Sequence, residues 1–316
     1  MQCCETEYSF KSVTGLADIY ARCWLPEDGK IKAVIQLTHG MAEHGDRYEQ
    51  MASYLCACGY AFAANDHIGH GKSVTDDSEL GYFGAEKNEG GQAFVDDAHT
   101  FTLMLKKEFA KPVILFGHSM GSFVARKYIS EYSPEVTAAI ICGTAGPNPT
   151  TSVAIGVAAA AVKSYGEKYP GKKLDAMAFG TFNKRCQQRT NVDWLSCDDA
   201  EVDKYVADPY CGFLFSVSGY KNLFELLRDV SADVLIARVP KSLPLYFIAG
   251  AEDPVGGYSK GVMTVIDKFI ATGHTVESKI YSGMRHEIMN EINRTQVFYD
   301  VACWCDKIMA AKSQED

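Results

Sequence analysis

Three side chains in this 316-residue chain could together break an acyl bond: Ser119, Asp253 and His286. A serine hydroxyl is a weak nucleophile at neutral pH. It needs a base to take its proton, and the base needs a carboxylate to orient it and steady its charge. Ser119 lies in Gly117-His118-Ser119-Met120-Gly121, after the apolar run Val113 to Phe116 and before a helical pattern reaching Ser130. That reads as strand, tight turn and helix, with the serine at the apex and its hydroxyl clear of the sheet. Gly117 and Gly121 have no Cβ, so strand and helix can cross closely beside it. The turn also puts the Met120 N–H at a helix start, where backbone donors face developing negative charge.

The G-x-S-x-G pattern alone carries little weight, since chance supplies it in roughly one chain in ten of this length. A second copy, Gly257-Tyr258-Ser259-Lys260-Gly261, follows the loop Asp253-Pro254-Val255-Gly256 and not an apolar strand. Ser259 therefore reads as a helix-start serine, and context selects Ser119.

In a doubly wound sheet the site lies at the carboxyl ends of the strands, and serine, acid and histidine follow in that order. Asp253 comes just past the strand Leu243–Ala249, with Glu252 as the adjacent alternative. Two histidines follow. His274 lies between a helix and a strand, at the wrong edge of the sheet, whereas His286 follows the strand Thr275–Tyr281 at the right edge. An oxyanion needs two donors. Met120 N–H is one, and Met41 N–H, after the strand Ala33–Thr38 and beside the small Gly40, is the other expected donor. Gly40, Glu43 and His44 are candidate substrate contacts. His118 reads as structural. Asp66, His67 and His70 lack a ligand-like spacing, so no metal site is expected. Gly69-His70-Gly71-Lys72-Ser73 lacks the leading glycine of a phosphate-binding loop.

These residues need a scaffold. The N-terminus reads as a hairpin (Tyr8–Phe10, then Asp18–Leu25), and buried strands are expected at 33–38, 60–64, 113–116, 135–142, 243–249 and 275–281. Helices are expected at 47–58, 90–109, 257–271 and 294–312. Alternating β and α segments with buried strands mean an α/β fold, a mostly parallel, doubly wound sheet. From 146 to 237 only helices and loops are legible, including an apolar helix from Val153 and an amphipathic one over Tyr220–Val230. The expected division is a core of 1–145 and 238–316 with a helical cap of 146–237.

Composition sets outer bounds. Hydrophobic residues make up 47% and the net charge is −9, with a pI of about 5.4. That balance argues against nucleic acid or an anionic membrane surface as the main partner. The 11 cysteines are scattered; most are expected to be buried thiols in a reducing, cytoplasmic setting. No apolar run reaches the length of a membrane span, and the start, MQCCETEYSF, shows no signal core.

The motifs His39-Gly40-Met41-Ala42-Glu43-His44, Asp66 to Ser73, Gly117 to Gly121, Asp253-Pro254-Val255-Gly256 and Arg285-His286-Glu287 resemble, in that order, those of the α/β-hydrolase fold family. Within it the chain looks like the monoacylglycerol lipase/lysophospholipase group, which overlaps the serine aminopeptidase-like hydrolases. The resemblance implies Ser119 as nucleophile, His286 as base then acid, Asp253 as its orienting carboxylate, and Met41 and Met120 N–H as the oxyanion hole. It implies no cofactor, an acyl ester as substrate, and a cap that lines the acyl channel and touches lipid aggregates. Two rivals remain. An amino- or iminopeptidase would need an acidic cluster such as Asp198, Asp199, Glu201 and Asp203. A receptor on a hydrolase fold would bind without turnover.

Overall fold

The structure, a computed structural model, describes residues 3–84 and 90–314. Positions 1–2 and 315–316, the outer ends of the expected core, and 85–89 lie outside the described residues.

The strands are β1 (Cys4–Lys11), β2 (Asp18–Leu25), β3 (Val34–Thr38), β4 (Ala61–Asn65), β5 (Val113–His118), β6 (Ala138–Cys142), β7 (Leu245–Gly250) and β8 (Val276–Tyr281). They form one sheet in the order β1-β2-β4-β3-β5-β6-β7-β8. The hairpin β1–β2 and the pair β2–β4 are antiparallel; every other pairing is parallel. Strands β3 to β7 are buried along their whole length. Their unbroken apolar runs follow, because helices cover both faces of a parallel sheet.

The pleat divides those runs between two cores. Val113, Leu115, Ala139 and Ile141 face one layer, with Val124 and Tyr128 of α3 (Met120–Glu131) and Phe101 of α2 (Gly90–Phe109). Ile114, Phe116, Ala138 and Ile140 face the other, with Leu55 of α1 (Glu49–Ala57) and Val301 of α10 (Arg294–Lys312). A one-residue slip in register would exchange these sets, so burial of both faces holds the strand ends in line.

Between β6 and β7 the chain makes a helical excursion: α4 (Thr151–Tyr165), α5 (Lys172–Phe179), α6 (Asp199–Ala207), α7 (Val217–Val230) and α8 (Asp233–Ile236). It adds no strand to the sheet. Helix α9 (Lys260–Ala271) follows β7. Both roots of the excursion are tied to one buried cation on α3. Arg126 donates to the Ala145 carbonyl (3.2 Å) at the first root and to the Val230 carbonyl (2.5 Å) near the second.

Several boundaries differ from expectation for local reasons. Strand β6 starts at Ala138 because Ser133-Pro134-Glu135 forms a tight turn. Helix α9 starts at Lys260 because Tyr258 and Ser259 are in the left-handed region, at φ 54° and 74°. The acidic stretch at 198–203 is not a turn: Asp198 caps α6 by accepting the Ala200 N–H. Asp199 and Glu201 sit at the positive end of the helix dipole, while only Val202 and Tyr205 are buried. So weak an apolar stripe reads as loop. Helix α5 is short and closed by glycines, and was not expected. Of the cysteines, only Cys23, Cys56, Cys142 and Cys305 are buried, fewer than anticipated. Among the described residues, no helix is long and apolar enough to cross a membrane.

Candidate active site

Strand β5 delivers Ser119 into a backbone conformation that a serine rarely adopts, φ 54° and ψ −121°. Such strain persists only where neighbours over-determine it. Here the Ser119 N–H is held by the Cys142 carbonyl at 3.0 Å, and its carbonyl accepts from the Ser122 N–H at 2.9 Å. The flanking glycines are required by space. A Cβ on Gly117 would lie 2.6 Å from that of Ala125, and one on Gly121 would overlap the Thr38 carbonyl oxygen and lie 2.5 Å from that of His39. Met120 is the first residue of α3, so its N–H has no partner within the helix.

The loop after β3 lies against the serine. A Cβ on Gly40 would come within 3.1 Å of the Ser119 Cβ. The Gly40 N–H is occupied, donating to Glu43 Oε1 at 2.5 Å. Met41 therefore carries the next N–H along the loop, and both Met41 and Met120 line the same cavity as Ser119.

Asp253 and His286 meet at the ends of β7 and β8. Asp253 is fully buried. Its Oδ1 accepts the Val255 N–H at 2.8 Å, and its Oδ2 lies 3.0 Å from His286 Nδ1. At this distance the carboxylate orients the ring and attracts its protonated form. Burial disfavours the imidazolium, but the Asp253 charge and hydrogen bond, then Glu287 and Glu43, outweigh it and raise the His286 pKa above its usual value. His274, the alternative histidine, is bonded to the Val239 and Phe269 carbonyls far from these groups. Glu252, the alternative acid, is exposed.

Sequence reasoning missed the network beneath the serine. Glu43 Oε1 accepts from Gly40 N–H and from Tyr48 Oη (2.8 Å), and its Oε2 from Arg47 (2.5 Å). Arg47 also forks onto Glu287 at 2.7 and 2.6 Å. Tyr48 Oη lies 2.8 Å from His118 Nδ1. All of these groups are nearly sealed from solvent. Burial pushes the Glu43 pKa up, yet the His118 hydrogen bond and the Arg47 charge hold it well below the carboxylate range. Two carboxylates share one guanidinium, which leaves negative potential beside His286.

This changes the reading of the candidate substrate contacts. Glu43 edges the cavity, but its oxygens are taken up by internal donors, so it braces the Met41 loop. His44 does not line the cavity; its Nε2 pairs with Asp208 Oδ2 at 2.9 Å. Gly40 does line it. With Cys211, His44 and Asp208 form a metal-compatible group within 4.8 Å, at the seam between loop and excursion; its histidine and carboxylate are already bonded to each other. His39, His67 and His70 form a buried cluster behind the loop, where His39 bridges the Gly40 carbonyl (2.8 Å) and the His67 N–H (2.9 Å). Burial pulls the His70 pKa down to about 3, so the ring is neutral. Asp66 holds the Gly45 and Lys72 N–H groups at 2.9 and 2.8 Å.

A cavity of about 1340 Å³ opens above Ser119 and His286. Its upper wall is largely apolar and comes from the excursion, including Val153, Met177, Phe179, Phe213 and Phe224. The four acids offered for a peptidase lie elsewhere. Asp198 and Glu201 pair with Arg294, and Asp199 and Asp203 with Arg189. None of the four lines the cavity.

The eight-stranded sheet, with its strained serine between helix start and glycine loop, is that of an α/β-hydrolase. The chain belongs to the serine aminopeptidase, S33 family (Hydrolase_4), whose model matches residues 29–293. The monoacylglycerol lipase of Mycolicibacterium smegmatis is 28% identical over 308 residues, covering 95% of this chain and 96% of that protein. The monoglyceride lipase of Homo sapiens is 27% identical over 300 residues, covering 90% and 86%. A thermostable carboxyl esterase from Bacillus coagulans, solved in complex with glycerol, superposes with a TM-score of 0.90 at 31% identity, covering 98% of this chain and 99% of its own. The protein is thus a hydrolase of this family.

Proposed function

We propose that this protein is a serine carboxylester hydrolase acting on single-chain acyl esters of the monoacylglycerol or lysophospholipid type. One observation carries the reading: Ser119, His286 and two candidate oxyanion donors line the floor of a cavity whose upper wall is largely apolar. Ser119 Oγ attacks the ester carbonyl carbon while His286 Nε2 takes its proton. Met41 and Met120 N–H stabilise the oxyanion. As the carbonyl reforms, the C–O bond to the alcohol breaks, and His286 returns the proton to the leaving oxygen. Water then repeats the sequence on acyl-Ser119 and releases the fatty acid. Asp253 stabilises the imidazolium in both halves. Residues 146–237 act as a cap over the core.

The names of the relatives support the substrate class. So does the outer surface of α4, where Val157 and Tyr165 are exposed and outside the cavity lining; we read it as the face that meets lipid aggregates. We place the protein in the reducing, cytoplasmic compartment expected from its scattered cysteines.

A ladder of p-nitrophenyl acyl esters with Ser119→Ala as control tests this. Turnover should peak at medium or long chains and vanish in the variant. A peak at acetate or butyrate would replace the substrate class with small esters. Ester turnover unchanged in Ser119→Ala would overturn the mechanism.

A further inference from the structure

The base of the active site is gripped by the excursion, and this has a functional consequence. The strip 193–197 is laced along the loop that carries His286. The Trp194 carbonyl accepts the His286 N–H (3.4 Å), and the Leu195 carbonyl accepts the Glu287 N–H (2.7 Å). Arg285 donates to the carbonyls of Asp193 (2.7 Å) and Ser196 (2.9 Å). Ser196 Oγ donates to the Asn290 carbonyl (2.8 Å), and the Cys197 N–H to Glu291 (3.1 Å). Six hydrogen bonds along five residues make a fixed seam, unlike the flexible edge of a lid.

That seam places the Trp194 indole over the imidazole, with ring centroids 5.2 Å apart and planes tilted by 42°. The His118 ring packs on His286 as well, at 4.8 Å. A Cβ on Gly143 would come within 3.2 Å of His286 Cε1, so the ring edge is also confined. Trp194 is in turn packed against Phe182 (5.2 Å) and aligned with Phe179 (6.5 Å, 4°). Asp253 alone fixes only one nitrogen of the imidazole and leaves the ring free to rock about that contact. The indole removes this freedom, and its ring centroid lies within the range over which aromatic rings attract a cation.

We infer that Trp194 is a positioning residue for His286, held in place by the strip 193–197. This rests on the reading of His286 as the base. The prediction separates positioning from a mere wall contact. A wall residue lost to alanine weakens substrate binding and raises KM. A positioning residue lost lets the imidazole drift, and misplacement by about 1 Å costs on the order of 10²-fold in rate. Trp194→Ala should therefore lower kcat roughly ten- to hundredfold with a smaller change in KM. Trp194→Phe, which keeps a ring in place, should recover most of it.

A spectroscopic readout needs no substrate, because a protonated imidazole in contact with an indole quenches its emission. The chain has three tryptophans, so the Trp194 signal is the emission difference between Ser119→Ala and Ser119→Ala/Trp194→Phe. The titratable and charged groups around His286 are Asp253, Glu43, Glu287 and His118, with Arg285 beside it in the chain donating to the strip and the Asp193 carboxylate turned to Thr190. The difference emission should fall as pH drops through the His286 ionisation, and this step should disappear when His286→Gln is added. A pH-independent Trp194 emission would overturn the inference, as would a Trp194→Ala enzyme with parental kcat and raised KM. The emission test survives even if Ser119→Ala retains full ester turnover, so failure of the proposed function and failure of this inference are distinguishable.

Discussion

Gly121→Ala places one methyl group where the fold has no room for it. The added Cβ would lie 2.5 Å from the His39 carbonyl oxygen, with the Thr38 oxygen nearer still. Ordinary contact begins at about 3.4 Å, so the start of α3 and the loop after β3 must separate by more than about 1 Å. Both proposed oxyanion donors ride on those two segments: Met120 is one residue before Gly121, and Met41 is two residues after His39. Overpacking of this kind costs about 1–3 kcal/mol. For a domain of this size that is a Tm loss of about 2–12 °C. Displacement by about 1 Å at the reacting atoms costs on the order of 10²-fold in rate. Gly156→Ala is the control: nothing lies within 4 Å of a Cβ there, and the helix should gain up to about 1 kcal/mol from the better helix former. The assay pairs thermal unfolding with kcat and KM on the preferred p-nitrophenyl ester. Gly121→Ala should fold with a lowered Tm and lose about 10²-fold in kcat, while Gly156→Ala keeps its kcat and a Tm at or a few degrees above the parent's. If Gly121→Ala matched the parent in Tm and kcat, the close crossing of α3 over the Met41 loop would not be what builds the site.

Three further outcomes follow from the same geometry. Asp253→Asn removes the largest charge holding the His286 pKa up, so the acid limb of the kcat/KM–pH profile should move to lower pH while kcat falls about 10³- to 10⁴-fold; Glu252→Gln should leave both unchanged, and a profile that ignored Asp253→Asn would remove it from the site. Glu43→Gln breaks one of the two buried pairs of Arg47, which keeps Glu287, so the loss should be about 1–3 kcal/mol by urea unfolding at pH 7. Because the folded Glu43 pKa is depressed, its stabilisation is present above the unfolded value of 4.5 and lost as pH falls through the lower folded value, so the gap between parent and variant should narrow on acidification; a gap constant with pH would refute the ionised assignment. Val157→Asp, on the exposed face of α4 and outside the cavity lining, should slow hydrolysis of monoacylglycerol presented as emulsion or vesicles several-fold, yet leave soluble p-nitrophenyl butyrate turnover intact. Equal effects on both substrates would deny that face a role at lipid surfaces.

The order of the motifs was legible in the chain because each depends on local chemistry. A serine between two glycines after an apolar run, an acid just past a strand end and a histidine past the next strand are patterns within a dozen residues. The strand periodicity that lines them up is equally local, since burial on both faces writes itself as continuous apolar runs. Even the exclusion of Ser259 needed only its preceding loop, and the structure puts it in a left-handed turn outside the cavity lining.

What tertiary structure decided lies in pairings across long stretches of chain. Arg47 and Glu287 are 240 positions apart, and nothing near either residue announces the other. Glu43 looked like a substrate contact because its neighbours are loop residues; only the folded loop shows its oxygens filled by Gly40, Arg47 and Tyr48. His44 stands one residue on, and the turn of the backbone sends it to Asp208 instead of the cavity. The acidic run at 198–203 offered a seat for an ammonium group until Arg189 and Arg294 were found opposite it. Trp194 carries no motif at all, and its place over His286 follows from hydrogen bonds between two segments 92 positions apart. Residue type and spacing determine which groups have the capacity for acyl transfer. Which of them are spent on one another, and which face the cavity, depends on partners brought together only by packing the excursion onto the sheet.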